Sequence, residues 1–293
     1  MIQNYVFMTD SNSDLPYQIA DERQIPVIKM PYMVDGKEYY DDNGRTYDAH
    51  AFFESMRNGA VPSTSLLPTP DYIDYFEPIL AQGKDLLFVA FSSEMSSTIQ
   101  NVYAARSFLL EKYPERAFTV VDTMNISCPM TLLILGAHDL YLKGCSMQEV
   151  AQWIEQNKMR SHAILTVDDL KYLKRGGRIS STSAFFGTML DIKPILVMSK
   201  NGKISPADKV KGRKKAIRTL VEKTYEYIEN PAEQVVRIVH ADALADAEKL
   251  KEMLIAKIPD VKDVAIDNVG PVIGAHCGPG TLSISFFGKE KDL

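Results

Sequence analysis

Strand and helix patterns alternate along nearly all of this 293-residue chain, and several strands are almost wholly apolar rather than alternating. The runs at 5–9, 86–91 and 118–121 are of this kind, each followed by a polar loop and then a helical pattern. A strand with no polar face must be covered on both sides. Helices inserted between successive strands supply that cover and bring the chain back in parallel. The pattern predicts an α/β fold with mostly parallel sheets. Helices are expected over 48–58, 71–82 (interrupted by Pro78), 96–113, 126–143 and 146–160. Asp35-Gly36 and Asn201-Gly202 sit between apolar runs as hairpin signals.

The pattern changes character near residue 161. A strand at 162–167 leads into a short helix that breaks at Gly176-Gly177. A helix at 212–229, a strand at 235–240, a helix at 243–258 and strands at 261–269 and 281–287 follow. Two α/β domains are therefore expected, 1–160 and 161–293. The length allows each a substantial core.

Apolar residues make up 45% and charged residues 24% of the chain, as in an ordinary globular protein. The net charge of −5 gives no basic field for nucleic acid or an anionic membrane. No charged and apolar leader opens the sequence, and its longest apolar stretch, 128–137, is too short to cross a bilayer. Three cysteines without CxxC spacing fit a reduced cytoplasmic setting and form neither a metal motif nor a disulfide scaffold.

Four polar nodes stand out. Gly270-Pro-Val-Ile-Gly-Ala-His276-Cys-Gly-Pro-Gly280 packs glycines and prolines around one imidazole. It reads either as a tight turn before the last strand or as a fixed platform of backbone N–H groups beside His276. Hydroxyls cluster in Ser63-Thr64-Ser65 and again in Ser92-Ser93-Glu-Met-Ser96-Ser97-Thr98, where an apolar strand hands over to a helix. Ligands of open α/β sheets bind at such strand ends, and helix N-termini favour anions. Capping by Ser96 or Ser97 explains one or two of these hydroxyls but not five within seven residues. Arg175-Gly-Gly-Arg178 offers guanidinium groups beside glycines that let a ligand approach, or else a simple helix C-cap. The run from Lys209 to Lys215 places five cations in seven residues at a helix start, where the helix dipole opposes them. An anionic ligand or an acidic partner would offset that cost.

Familiar machinery is absent from the sequence. There is no P-loop, no dinucleotide fingerprint, no HExxH and no GxSxG elbow. A serine hydrolase using Ser93 as nucleophile and His276 as base would lack a clear third member. A lipid-sensing regulatory protein is a further alternative, although no helix-turn-helix pattern supports contact with DNA.

The motifs resemble the DegV family in order over nearly the whole chain. They are Thr9-Asp10-Ser11…Ser13-Asp14-Leu-Pro16, Ser63-Thr64-Ser65…Pro68-Thr-Pro70, Ser92-Ser93…Ser96…Thr98, Val121-Asp122, Leu173-Lys-Arg-Gly-Gly-Arg178-Ile-Ser180 and Gly274-Ala-His276-Cys-Gly-Pro-Gly280. Ser97 stands where members usually carry glycine, which would narrow an anion site slightly.

The resemblance implies a two-domain α/β protein holding one long-chain fatty acid of the palmitate or oleate class in a buried tunnel at or near the domain interface. It implies no cofactor, no metal and no catalytic residue of the chain's own. A separate ATP-binding fatty acid kinase would phosphorylate the bound carboxylate, and the resulting acyl phosphate would enter phospholipid synthesis. That leaves room for a transient contact with a membrane or an acyltransferase. By motif position, Thr64, Ser93, His276 and Arg178 would bind the head group. Ser96, Ser65, Gly274 and Gly278 would support them. Arg213, Lys214 and Arg175 would dock the kinase.

Overall fold

The computed structural model describes residues 4–179 and 191–292. In chain order it begins with β1 (Tyr5–Asp10), α1 (Tyr17–Glu22), β2 (Val27–Ile28), β3 (Pro31–Val34), β4 (Lys37–Tyr40) and α2 (Ala49–Arg57). Next come β5 (Ser63–Thr64), α3 (Thr69–Ala81), β6 (Asp85–Ala90) and α4 (Thr98–Lys112), then β7 (Phe118–Asp122), α5 (Ser127–Leu142) and α6 (Met147–Asn157). The second half holds β8 (Ser161–Thr166), α7 (Lys171–Arg175), β9 (Ile192–Met198), β10 (Ile204–Lys211) and α8 (Arg213–Tyr227). It closes with β11 (Val235–His240), α9 (Leu244–Lys257), β12 (Asp263–Asn268), α10 (Pro271–Cys277) and β13 (Leu282–Phe287).

The first sheet, in the order β2-β1-β6-β7, is parallel throughout. Alternate side chains of a strand point to opposite faces, and β6 buries both sets. Leu86, Phe88 and Ala90 pack with α3 and α4, whereas Leu87 and Val89 pack with α5 and α6. α5 is buried around most of its circumference, because Met130, Ile134 and Ala137 lie in one core with Ala163 and Leu165 of β8. The apolar stretch 128–137 is thus a helix enclosed between two sheets. α3 continues through Pro78 rather than breaking there: Phe76 and Leu80 are both buried, and their packing holds the last turn.

The second sheet corrects the expectation of mostly parallel pairing. Its order is β10-β9-β8-β13-β11-β12, and among the described residues β11–β12 alone is parallel. Asn201-Gly202 forces β9 and β10 into a hairpin, while β13 inserts between β8 and β11 and runs against both. β13 is covered on both faces: Leu282, Ile284 and Phe286 face the core under α8 and α9, and Ser283 and Ser285 on the other face are buried as well.

The segment from Gly270 to Gly280 forms a helix, not the turn that its glycine and proline content suggests. Pro271 occupies the first helical position, where its fixed φ suits it, and Gly278 follows the last turn at φ 77°. Val272, Ala275 and Cys277 join the core that contains Phe52 and Phe53 of α2. A Cβ on Gly274 would lie 2.8 Å from the Phe53 ring, so this glycine permits α10 to approach α2. A small antiparallel sheet, β4-β3-β5, pairs Tyr32 with Thr64 and sets β5 beside α10.

Candidate functional site

A cavity of about 500 Å³ lies where β5, the loop 92–97, α7 and α10 meet. Its polar wall comprises Ser63, Thr64, Ser65, Ser96, Ser97, Asn12, Arg175, Arg178 and His276. The remainder is apolar and includes Phe91, Ile126, Leu173, Ile204 and Ile273. A further apolar cavity of about 40 Å³ shares Ile126, Ile204, Ile273 and Cys277 with it and reaches inward to Ala163 and Met198. A concave, mostly apolar site with a few convergent polar groups is the usual form of a small-molecule site.

The polar wall is contiguous. Thr64 Oγ1 lies 2.8 Å from His276 Nε2. The other ring nitrogen of His276 fills the space where Gly176 lacks a side chain. Arg178 donates through Nε to the Met95 carbonyl at 3.2 Å and through Nη1 to the Gly176 carbonyl. One guanidinium therefore ties the end of α7 to the hydroxyl-rich loop. Burial pushes the His276 imidazole down to about 4, and the nearby Arg178 and Arg175 push in the same direction. The ring is neutral near pH 7. Desolvation also lowers the Arg178 pKa, but an arginine begins so high that it stays charged.

The serine cluster divides among local tasks. Ser92 is buried and donates to the Gly202 carbonyl at 2.8 Å, fastening the loop to the β9–β10 turn. Ser96 Oγ accepts the Thr98 N–H at 3.2 Å just before α4, and Thr98 Oγ1 lies 3.0 Å from the Tyr72 hydroxyl. Ser96 and Ser97 reach the cavity wall. Ser93 is not among the described residues that line it; its N–H points to the Asp122 carboxylate at 3.4 Å. Ser93 and His276 are joined by no hydrogen bond among the described residues, and His276 is engaged by Thr64 instead. Gly274 and Gly278 act through packing: a Cβ on Gly278 would run into the Tyr172 ring. Ser180 of the arginine-glycine motif lies outside the described residues.

Within the basic run, Arg213 is balanced by acidic partners that its appearance in sequence did not reveal. Lys209 and Lys211 belong to β10, and Arg213 to Lys215 open α8. Arg213 Nε pairs with Asp246 at 2.7 Å, and its Nη1 lies 3.6 Å from Asp168. Lys214 and Lys215 are exposed. Arg175 is exposed as well, with its guanidinium 5.3 Å from the Tyr172 ring centre, and it also reaches the cavity.

Sequence reasoning missed Asn12, Ile126 and Ile273 on the cavity wall, and it missed a set of buried carboxyl groups. Asp10, Asp14 and Asp41 are almost fully enclosed. The repeated Asp-Ser pattern at 10–14 was the available signal. Among the described residues no cluster of His, Cys, Asp or Glu could hold a metal ion, and no helix is long and apolar enough to cross a membrane.

The family model of DegV, described as a family of uncharacterised proteins, matches residues 5–289. A DegV domain-containing protein of Clostridium perfringens is 39% identical over 99% of this chain and 100% of its own length. One from Streptococcus pyogenes is 33% identical, covering 98% and 99%. A Thermus thermophilus structure, described as fatty acid binding of a DegV family protein, superposes with a TM-score of 0.86 at 27% identity, covering 97% of this chain and 99% of that one. DegV of Bacillus subtilis, described as a fatty acid binding protein, gives 0.82 at 29% identity, covering 98% and 100%. With its motifs, fold and relatives in agreement over almost the entire length, this chain belongs to the DegV family.

Proposed function

We propose that this protein binds one long-chain fatty acid, with the carboxylate at the Thr64–His276–Arg178 wall and the acyl chain along the apolar wall. The observation that carries the reading is the division of a single cavity into a contiguous polar wall and an apolar lining that continues towards Met198. The fatty-acid-binding relatives from Thermus thermophilus and Bacillus subtilis support it. A carboxylate leaving water needs hydrogen bonds, which Thr64, Ser96 and Arg178 can donate. The neutral His276 has a single N–H, so the Thr64–His276 pair gives the anion one proton: from the Thr64 hydroxyl when Nε2–H donates to Thr64, or from Nδ1–H when Nε2 accepts from Thr64. The alkyl chain adds about 0.8 kcal/mol for each methylene buried.

In this reading the partition is 1–160 and 161–293, with the ligand between the two units, and the protein works in the cytoplasm as a lipid-binding subunit. A separate kinase brings ATP. The carboxylate oxygen attacks the γ-phosphorus, ADP leaves, and the acyl phosphate remains on the carrier. Lys214 and neighbouring exposed cations dock the kinase, while Arg213, held by Asp246, orders the start of α8. Ser93 serves by holding the loop through its backbone.

Titration with oleate and palmitate, followed by turnover with a bacterial fatty acid kinase, tests both parts. Saturable one-to-one binding and ATP-dependent acyl phosphate are expected. Lys211→Ala with Lys214→Ala should keep the lipid affinity and slow turnover at limiting kinase, with the defect shrinking as kinase is raised. Absence of saturable binding would reject the reading. Normal turnover of the double variant at limiting kinase would remove this surface from docking.

A further inference from the structure

The Asp10-Ser-Asn-Ser-Asp14 motif touches the lipid cavity only through Asn12. Its last residue points elsewhere. Asp14 is 8% exposed and sits at φ 52°. Its Oδ1 accepts the N–H of Gly270, the residue that precedes α10, at 3.0 Å. Its Oδ2 accepts the hydroxyl of Ser127 at the start of α5. Asp41 is 2% exposed, and its Oδ1 accepts the Asn43 N–H at 2.9 Å. A Cβ on Gly270 would lie 2.7 Å from Asp14 Oδ1 and 3.0 Å from Asp41 Oδ2. Two carboxyl groups thus press against one glycine at the head of the helix whose last turn carries His276. A second cavity of about 260 Å³, lined by both carboxyl groups and by Tyr47, borders them and gives protons a route in and out.

We propose that Asp14 and Asp41 share one proton and act as a latch on the N-terminus of α10, fixing where that helix presents His276. Two carboxylates against one glycine repel each other, so the second ionisation is disfavoured. Burial pushes Asp14 up to about 7, and burial together with the Asp14 charge pushes Asp41 up to about 8. With one proton in the pair, ionised Asp14 accepts from Gly270 and Ser127 while Asp41 stays neutral. Loss of that proton sets two charges against Gly270. A proton gained by Asp14 weakens the charge-assisted bond that holds the helix.

Other groups around the pair tune the latch without replacing it. Asp267 on β12 adds negative potential at Asp14 but is itself paired with Arg237. Asp42 adds to the potential at Asp41. The hydroxyls of Tyr32 and Tyr47 stay protonated because burial raises both. The thiols of Cys128 on α5 and Cys277 on α10 are likewise pushed up to about 12.

The latch stands apart from the lipid reading; only its effect on lipid affinity rests on that reading. The test follows the Gly270 amide and the His276 ring by NMR on the full chain from pH 5.5 to 9.5. In the wild type both signals should move together in two macroscopic steps. The imidazole itself titrates well below this range, so a step there reports motion of α10. Asp41→Asn should abolish the upper step and leave the lower one near its wild-type position, because Asp41 is already neutral when Asp14 ionises. Oleate affinity of the wild type should fall roughly fivefold above the upper step, and Asp41→Asn should remove that fall. A flat Gly270 amide in the wild type overturns the latch even if Asp41→Asn fails to fold, and so does an Asp41→Asn variant that keeps both steps. Two coupled steps in a protein that binds no fatty acid would uphold the latch and reject the lipid reading.

Discussion

At its C-terminal end α10 presents His276 to Thr64, Gly176 and Arg178, whereas at its N-terminal end the same helix meets Asp14 and Asp41. One helix of seven residues links a wall that can receive an anion to a pocket that repels one. Both ends bury polar groups, but for different purposes. The His276 end has neutral donors and a guanidinium, so its hydrogen-bonding capacity suits a carboxylate ligand. The Asp14 end already spends its acceptors on Gly270 and Ser127, so its work is internal. Burial shifts pKa values at both ends in the direction that favours the neutral form. The result is a neutral imidazole at one end and a shared proton at the other.

This contrast can be broken most strongly at Arg178. Arg178→Met removes the charge that faces the ligand and releases the Met95 carbonyl. Lipid affinity should fall by about 1.5–3 kcal/mol, which is roughly ten- to a hundredfold, in a displacement titration. An unchanged affinity would make Arg178 a loop staple only.

A second effect belongs to His276 and concerns stability. In the unfolded chain this histidine takes up its proton near the ordinary imidazole value of about 6.5, but in the folded protein only near 4. The unfolded state therefore binds more protons between these limits, and stability falls as pH is lowered through that window. The loss should be on the order of 2 kcal/mol, and His276→Gln should remove it from thermal melts recorded across pH 4–7. Identical slopes for the two proteins would mean that the ring titrates as it does in water.

The smallest effects separate the two hydroxyl clusters. Thr64→Val should weaken lipid binding by about 1 kcal/mol, because it removes a donor and strands His276 Nε2. Ser93→Ala, at a residue absent from the described cavity wall, should stay within about 0.5 kcal/mol of wild type. Calorimetric titration of both variants checks the order. A larger loss for Ser93→Ala would put its hydroxyl on the ligand.

Much of the fold was legible wherever burial dictated composition. β6 is apolar on every residue from Leu86 to Ala90, and it lies in the middle of the parallel sheet with both faces covered. The expectation of mostly parallel pairing did not carry over to the second sheet, where β13 runs against both β8 and β11. In α10, the glycine and proline content suggests a tight turn or a platform, whereas Pro271 and Gly278 occupy the two helix boundaries where such residues are favoured. Thr64, His276 and Arg178 were legible as types of residue in motifs. Their contact depends on Gly176, whose missing side chain has no meaning until α7 and α10 are placed together. The serines at 92–98 looked like one site, yet Ser92, Ser96 and Thr98 are largely engaged in holding the loop and the start of α4. The pairing of Asp14 with Asp41 across Gly270 joins residues far apart in sequence, and no local pattern encodes it.

The most direct test of the lipid reading is native mass spectrometry of the purified full chain, followed by solvent extraction of whatever is bound. An apolar lining left empty would face water at a free-energy cost, so the expected result is one long-chain fatty acid per chain, exchangeable for added oleate. The opposite result, a protein that carries no lipid and takes up neither oleate nor palmitate, would contradict the assignment of this cavity to a fatty acid.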